Sequence, residues 1–414
     1  MTHTTINLNS PLTIKGITIK NRVAKGALSE GMATLGKGRV TPQLLRMYRA
    51  WGKGELAFCI TGNVMVDVNA KNEPGNTVIE DERDLVKLKE WANLGKMYNM
   101  VQIVQLSHPG KQCLKGLNKE TVAPSAIGFG AELAPLFGTP RALTEAEILR
   151  LIQRFGESAR ICKKAGFEGV QLHGAHGYLI SQFLSPLHNQ RSDQWGGSLE
   201  NRMRFVLACY HEVRRQTGDA FIVGIKLNSA DFQKGGFDET EAVEVFKALD
   251  QAGIDFIEIS GGTYEAGAMV GMIKKESTKK REAYFIEFAE KIRSEVKTVL
   301  MVSGGFRTRQ GMDEALQSGA CDLIGVARPL IVDPNTPAQL LAGHNAKHAL
   351  KPILSGIDRI DRAAGTEMLW YGAQMKVLGK GQQPNPHLSP IKVLVLYSLQ
   401  NIRKVVQGRI RVRA

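Results

Sequence analysis

The stretch TEAEILRLIQRFGESARICKKAGFEGVQLHGAHGY, residues 144–178, reads as one helix, one tight stop and one strand. Ile148, Leu151, Ile152, Phe155 and Ala159 recur at helical spacing and share a face, which predicts an amphipathic helix over 144–165. Thr144 followed three residues later by Glu147 forms a capping box, satisfying backbone N–H groups that a first helical turn leaves unpaired. Gly166 stands where a helix ends in left-handed backbone, a conformation open to a residue without a Cβ. A short apolar run at 169–173 follows, and the loop after it carries two histidines and a tyrosine.

The same unit repeats along the chain. Runs rich in apolar and β-branched residues occur at 22–28, 56–66, 100–107, 169–173, 221–227, 256–260, 299–303 and 321–327. Most are apolar nearly throughout instead of alternating, the pattern of strands covered on both faces in a parallel sheet. Helical spacing recurs at 199–216, 239–252, 282–296 and 307–318, and the junctions at 164–167, 251–254 and 317–320 each contain a glycine. Eight strands with intervening helices predict an α/β fold, the (β/α)8 TIM barrel, with its site on loops at the C-terminal strand ends. A doubly wound sheet is the alternative, but no GxGxxG turn follows any strand, so no Rossmann domain is expected to hold a nicotinamide cofactor. Residues 12–19 read as an N-terminal hairpin turning at Lys15-Gly16 and placed at the barrel floor.

Of the 414 residues 43% are hydrophobic and 23% charged, a balance that supports a packed core and excludes a disordered or collagen-like chain. Lys plus Arg outnumber Asp plus Glu by 54 to 40, and the resulting +14 raises the question of an anionic partner. Cys59, Cys113, Cys162, Cys209 and Cys321 are scattered, without a CxxC pair or a zinc-like spacing, and read as reduced thiols. The N-terminus lacks the regions of a signal peptide and no apolar run is long enough to span a membrane, so a cytoplasmic location is expected. After residue 367 the composition changes. Residues 368–414 hold no acidic residue and eight basic ones: Lys376, Lys380, Lys392, Arg403, Lys404, Arg409, Arg411 and Arg413. The expected division is a barrel over 1–367 and a basic C-terminal extension over 368–414. In the extension Ser389-Pro390 opens a helix with Ile391, Leu394, Val395, Leu399, Ile402 and Val406 on one face.

His173, His176 and Tyr178 share the loop after the fourth run, where a barrel places its active site. Histidines three apart can bind a metal, but no suitably spaced carboxylate follows, and no metal site is assigned. By themselves they read as loop residues with structural hydrogen bonds.

Just downstream, residues 183–202 run FLSPLHNQRSDQWGGSLENR. With HGAHGY at 173–178, this segment resembles the signature of the Old Yellow Enzyme family of FMN-dependent ene-reductases and NADH:flavin oxidoreductases. The similarity extends in order over about residues 8–345. It includes Asn21-Arg22, QLSHPG at 105–110, Ala123-Pro124-Ser125, Val302-Ser303-Gly304-Gly305, Ala327-Arg328-Pro329 and Asp333-Pro334. The resemblance implies an FMN-containing barrel that passes hydride from NADH or NADPH, by way of FMN, to an activated C=C bond.

It also implies roles. His173 and His176 match the pair that binds the developing oxyanion, which positioned donors stabilise, and His173 counts among the flavin contacts. Tyr178 matches the tyrosine that gives a proton to the α-carbon. Lys226 matches the Arg or Lys beside flavin N1 and O2, where a cation raises the reduction potential; by itself it reads as a rim lysine. Gln105 matches the reader of the pyrimidine edge, and Ser29 stands where members place Thr or Cys beside O4 and N5. Gly304, Gly305, Ala327 and Arg328 match the phosphate cradle, on loops where barrels bind phosphate.

Some positions depart from the family pattern. Gly26-Ala27-Leu28, preceded by Lys25, replaces the usual small residue, proline and methionine at the flavin. Residues 61–67 replace the commoner Glu-Ala-Thr, which turns Asn63 toward the flavin edge, and Trp195 stands where Tyr is usual. Neither a cysteine cluster nor room for further nucleotide-binding domains follows the barrel, so electrons are expected directly from NADH or NADPH in a ping-pong cycle.

An NADH:flavin or quinone oxidoreductase would use the same residues. A Schiff-base lyase built on Lys226 would leave the histidine pair and phosphate loops without a role. Eight of the fourteen excess charges lie in the tail, so nucleic-acid binding by the whole chain loses support. What remains open is whether residues 368–414 touch a membrane surface, another subunit of a homo-oligomer, or the barrel itself. The small-molecule substrate depends on the loops at 126–141 and 263–282.

Overall fold

The apolar runs form strands buried on both faces. A computed structural model describes residues 5–263, 265, 285–346, 353–357, 361 and 365–397. β1 (Leu12–Ile14) and β2 (Ile17–Ile19) pair as the antiparallel hairpin, turning at Lys15 and Gly16, both with positive φ. β3 (Val23–Lys25), β4 (Phe58–Met65) and β5 (Val101–Ser107) open the barrel. An excursion then carries the small parallel pair β6 (Thr121–Ala123) and β7 (Pro140–Ala142). β8 (Gly169–Gly174), β9 (Ile222–Asn228), β10 (Phe256–Ser260), β11 (Val299–Ser303) and β12 (Leu323–Val326) complete it. The eight barrel strands close in chain order, with Ile324 of β12 opposite Val23 of β3. β3 is only three residues long, shorter than the apolar run, because the chain leaves the sheet at Gly26 to line the barrel mouth.

The helices among the described residues are α1 (Pro42–Lys53), α2 (Leu85–Met97), α3 (Glu145–Ala165), α4 (Leu179–Leu184), α5 (Leu199–Thr217) and α6 (Glu239–Ala252). They continue with α7 (Ile286–Arg293), α8 (Arg309–Gln317), α9 (Arg328–Val332), α10 (Thr336–Leu341) and α11 (Gly365–Gly379). Both arms of the Thr144–Glu147 capping box form at the start of α3, and Gly166 ends it at φ 97°. The expected helix at 282–296 is present from Ile286; residues 282–284 lie outside the described residues.

The barrel interior is filled from below. Ile14 and Ile19 of the hairpin pack with Phe58, Ile103, Phe256, Met301 and Leu323, and the Phe58 and Phe256 rings meet edge to face at 5.3 Å. This apolar plug leaves the opposite end of the strands for polar side chains.

The division expected at residue 367 falls inside α11. That helix packs on α1 and α9 and buries Trp370, Tyr371, Met375 and Leu378 in the outer core. The Trp370 indole N–H donates to Leu388 O at 2.7 Å, and Glu367 pairs with Arg328 at 2.7 Å. Residues 390–397 are helical, and Ser389 Oγ accepts the Lys392 N–H as the Ser-Pro start implies. Leu399, Ile402, Val406 and the five arginines and lysines beyond them or among them lie outside the described residues. No helix among the described residues is long and apolar enough to cross a membrane.

Two outcomes follow for stability. Trp370→Ala removes a buried indole from the outer core and leaves a cavity there, which should cost roughly 3–5 kcal/mol and lower the urea midpoint. The second concerns pH. Burial depresses His108 to about 4 and His188 to about 3, with Lys111 adding to the effect at His188 and Arg154 opposing Asp67 at His108. Unfolded imidazoles take up protons near pH 6.5 while these do not, so below that pH the unfolded state binds more protons and stability declines. The urea midpoint should therefore fall between pH 7 and pH 5, and fall less steeply in His188→Asn.

Candidate active site

At the C-terminal ends of three neighbouring strands, parallel register sets His173 of β8 opposite Lys226 of β9, and Lys226 opposite Glu258 of β10. Lys226 Nζ donates to Glu258 Oε1 at 2.9 Å, and both side chains are buried. Gln171 Nε2 donates to the other carboxylate oxygen at 2.9 Å, and Gln105 Nε2 donates to Gln171 Oε1 at 2.8 Å. Gln105 and Lys226 are thus brought into one hydrogen-bonded chain by two residues, Gln171 and Glu258, that the sequence reading missed. The available signal was a single charged residue inside the apolar run FIEIS, since a buried charge requires a partner.

His173, His176 and Tyr178 form a compact group beside this chain. The His173 ring lies 4.4 Å from the Tyr178 ring and 5.4 Å from that of His176, centroid to centroid. Burial, reinforced by the Lys226 charge, holds both imidazoles well below the usual histidine range, so both are neutral near pH 7. His173 Nδ1 accepts the Ala175 N–H at 3.4 Å, which puts the proton of the neutral ring on Nε2. His176 sits at φ 60°, unusual for a residue with a Cβ. It is held there by Asn228 Oδ1 on its N–H, by Gln112 donating to its carbonyl at 2.7 Å, and by Ser260 Oγ at 2.7 Å from Nε2. The buried Tyr178 Oη accepts from Asn72 Nδ2 at 3.1 Å and Asn63 Nδ2 at 3.4 Å.

The first βα segment wraps around a bulge in β4. The β4–β5 register slips by one residue between Ile60 and Asn63, and Gly62 is required there because a Cβ would lie 2.3 Å from Leu28 O. Lys25 points away from the mouth: its Nζ donates to Ile60 O at 2.8 Å and Gly26 O at 3.2 Å and stands 4.6 Å from the Trp51 ring. Gly26 N–H is tied to Val326 O, Ala27 and Leu28 are half-buried, and Ser29 is exposed at the mouth. Ser29 Oγ donates to Asn63 Oδ1 at 3.0 Å, so Asn63 joins Ser29 to Tyr178.

Across the mouth, Gly304 and Gly305 adopt φ 96° and 90° after β11. Ser303 Oγ is buried with no hydrogen-bond partner. A Cβ on Gly325 would strike it at 1.9 Å, while one on Gly26 would touch Glu258 Oε1 at 3.4 Å, Ser303 Oγ at 3.6 Å and Ala327 at 3.9 Å. Gly26, Ser303, Glu258 and Ala327 therefore line one narrow gap. Arg328 follows Ala327 in the chain, and its Nη1 donates to Glu367 Oε1 at 2.7 Å. Open space beside Gly26, a partnerless hydroxyl, two left-handed glycines and an arginine on the next loop fit a group with a phosphate tail. A cavity of about 310 Å³ lined by Asp67, His108, Arg141 and Arg154 lies elsewhere and shares no residue with this group.

Residues 7–347 match the model of the NADH:flavin oxidoreductase / NADH oxidase family. A relative in Hypocrea jecorina, "NADH-dependent flavin oxidoreductase iliE", is 36% identical over 367 residues, covering 83% of this chain and 90% of that protein. An "NADPH dehydrogenase" of Geobacillus sp. is 31% identical over 330 residues, covering 80% of this chain and 92% of that one. Among solved structures, an old yellow enzyme homologue from Zymomonas mobilis superposes with a TM-score of 0.71 at 23% identity, over 85% of this chain and 96% of that one, a likeness of fold. The barrel, the order of its motifs and a family match along most of its length agree: the chain belongs to the NADH:flavin oxidoreductase / NADH oxidase family, the FMN-dependent oxidoreductases of Old Yellow Enzyme type.

Proposed function

We propose that this NAD(P)H-dependent FMN oxidoreductase reduces activated C=C bonds, with an α,β-unsaturated carbonyl compound as acceptor. The observation that carries this reading is the grouping of two neutral histidines and a hydrogen-bonded tyrosine at the strand ends, beside the Lys226–Glu258 pair. The phosphate end of FMN would be held by Gly304, Gly305, Ala327 and Arg328, and its ring by Gly26, Ala27, Leu28, Ser29, Gln105, His173 and Lys226. When bound, FMN supplies the hydride. Asn63 is assigned to Ser29 and Tyr178 rather than to the flavin edge alone, because its amide is engaged by both.

The chain's own residues then do two things. His173 and His176 direct N–H groups at the acceptor's carbonyl oxygen, where negative charge accumulates; being neutral, they donate without giving up a proton outright. Tyr178 Oη gives its proton to the α-carbon, and the two asparagine amides stabilise the phenolate left behind. A Schiff-base role for Lys226 is disfavoured, since an ammonium held by Glu258 is a poor nucleophile.

The five free, buried cysteines support a cytoplasmic setting. Burial pushes their thiols up, to about 12 at Cys59, Cys113 and Cys321, which keeps them protonated. For the basic tail, packing on the barrel is supported over residues 368–379 by the contacts of α11 with α1.

The purified protein should be yellow or take up added FMN, lose its flavin absorbance anaerobically with NADH or NADPH, and regain it with an enone. A colourless protein that binds no FMN would contradict the proposal. In stopped-flow measurements Tyr178→Phe should slow reoxidation by the enone roughly 10²–10⁴-fold while leaving reduction by NADH largely unchanged. Equal slowing of both half-reactions would remove Tyr178 from the proton-donor role.

A further inference from the structure

Glu258 of β10 is a carboxylate with no exposure to solvent. Each of its oxygens has one side-chain donor: Lys226 Nζ on Oε1 and Gln171 Nε2 on Oε2. The bridge from Gln171 on β8 to Glu258 on β10 passes over β9, where Gly224, the register partner of Gln171, contributes no side chain. Burying a carboxylate carries a desolvation cost that a buried ion pair often fails to offset, so packing alone gives no reason for one here.

Its chemistry has two effects on the gap beside it. A carboxylate only accepts, so Gln171 must turn its NH2 toward Glu258 and its carbonyl toward Gln105. That carbonyl in turn draws the Gln105 NH2 inward. Glu258 thus sets the polarity of both amides. It also places a full negative charge 2.9 Å from Lys226 Nζ, and a group farther away senses a nearly compensated pair instead of a free cation.

We infer that Glu258 is a positioning residue that screens Lys226 and thereby holds the FMN reduction potential below the value Lys226 alone would give. The inference rests on the reading that Lys226 lies against the flavin ring. Contact of a Cβ on Gly26 with Glu258 Oε1 at 3.4 Å places the carboxylate on the same gap.

The midpoint potential of the FMN-loaded enzyme, measured by equilibration with a reference dye, tests it. Glu258→Gln should raise the potential, shifting the dye equilibrium about tenfold, or about 30 mV for a two-electron couple. Glu258→Asp, which keeps the charge but draws it back from Lys226, should raise it less, and provides the measurement if Glu258→Gln does not fold. Lys226→Met should lower the potential by leaving the carboxylate uncompensated, and adding Glu258→Gln to Lys226→Met should recover part of that fall. A fall with Lys226→Met but no rise with either Glu258 variant overturns the screening role alone. No change in any of the variants overturns the placement of Lys226 as well.

Discussion

A closed barrel of eight short strands has an interior that must be filled, and the way this chain fills it governs everything above. The β1–β2 hairpin closes the floor with Ile14 and Ile19, and a layer containing Phe58, Phe256 and Met301 occupies the middle. Polar side chains are consequently confined to the C-terminal rim. Gln105, Gln171, Lys226 and Glu258 form the first layer above that plug, supported from below by residues that exclude water. The strength of their mutual contacts and the neutrality of the histidines beside them share this origin.

The charges of the rim are matched in pairs or given aromatic and carbonyl partners. Lys25 is turned outward onto Trp51 and the Ile60 carbonyl. Lys111, 2% exposed, contacts Gly128 O, His188 and Glu265 and lies 4.3 Å from the Phe129 ring. It joins the excursion between β5 and β8 to Glu265, a few residues after β10. Glu30 is buried, accepts from Tyr48 and from the Gly62 N–H, and is held above the usual carboxylate range by that burial. Rigid support of this kind surrounds the mouth without occupying it.

Features set by local chemistry were legible in the sequence. The Thr144 cap, the Gly166 stop and the hairpin turn at Lys15-Gly16 depend on neighbours a few residues away, and each appears where it was read. The His173–Tyr178 cluster was legible too, because one loop carries all three residues. What escaped depends on register between distant strands. Nothing near Glu258 in the chain reveals that Lys226 stands opposite it, and nothing near Asn72 reveals its bond to Tyr178. The bulge at Gly62 hid inside a run that looked like uninterrupted strand, although a glycine there was a cue. Residue 367 marks a change in charge, and α11 runs across it with Trp370, Tyr371 and Met375 buried.

The closure of β12 on β3 and the seating of α11 on α1 join the two ends of the chain. On a ribosome, the first barrel strand emerges with one edge unpaired and α1 emerges before Leu330, which accepts the Trp51 indole N–H, and before α11, and these partners are made roughly three hundred residues later. At typical synthesis rates of ~5–20 residues per second, that interval lasts on the order of tens of seconds. The nascent chain must therefore survive with an open sheet edge and an apolar helix face, conditions under which chaperone engagement matters more than for a fold closed by local contacts.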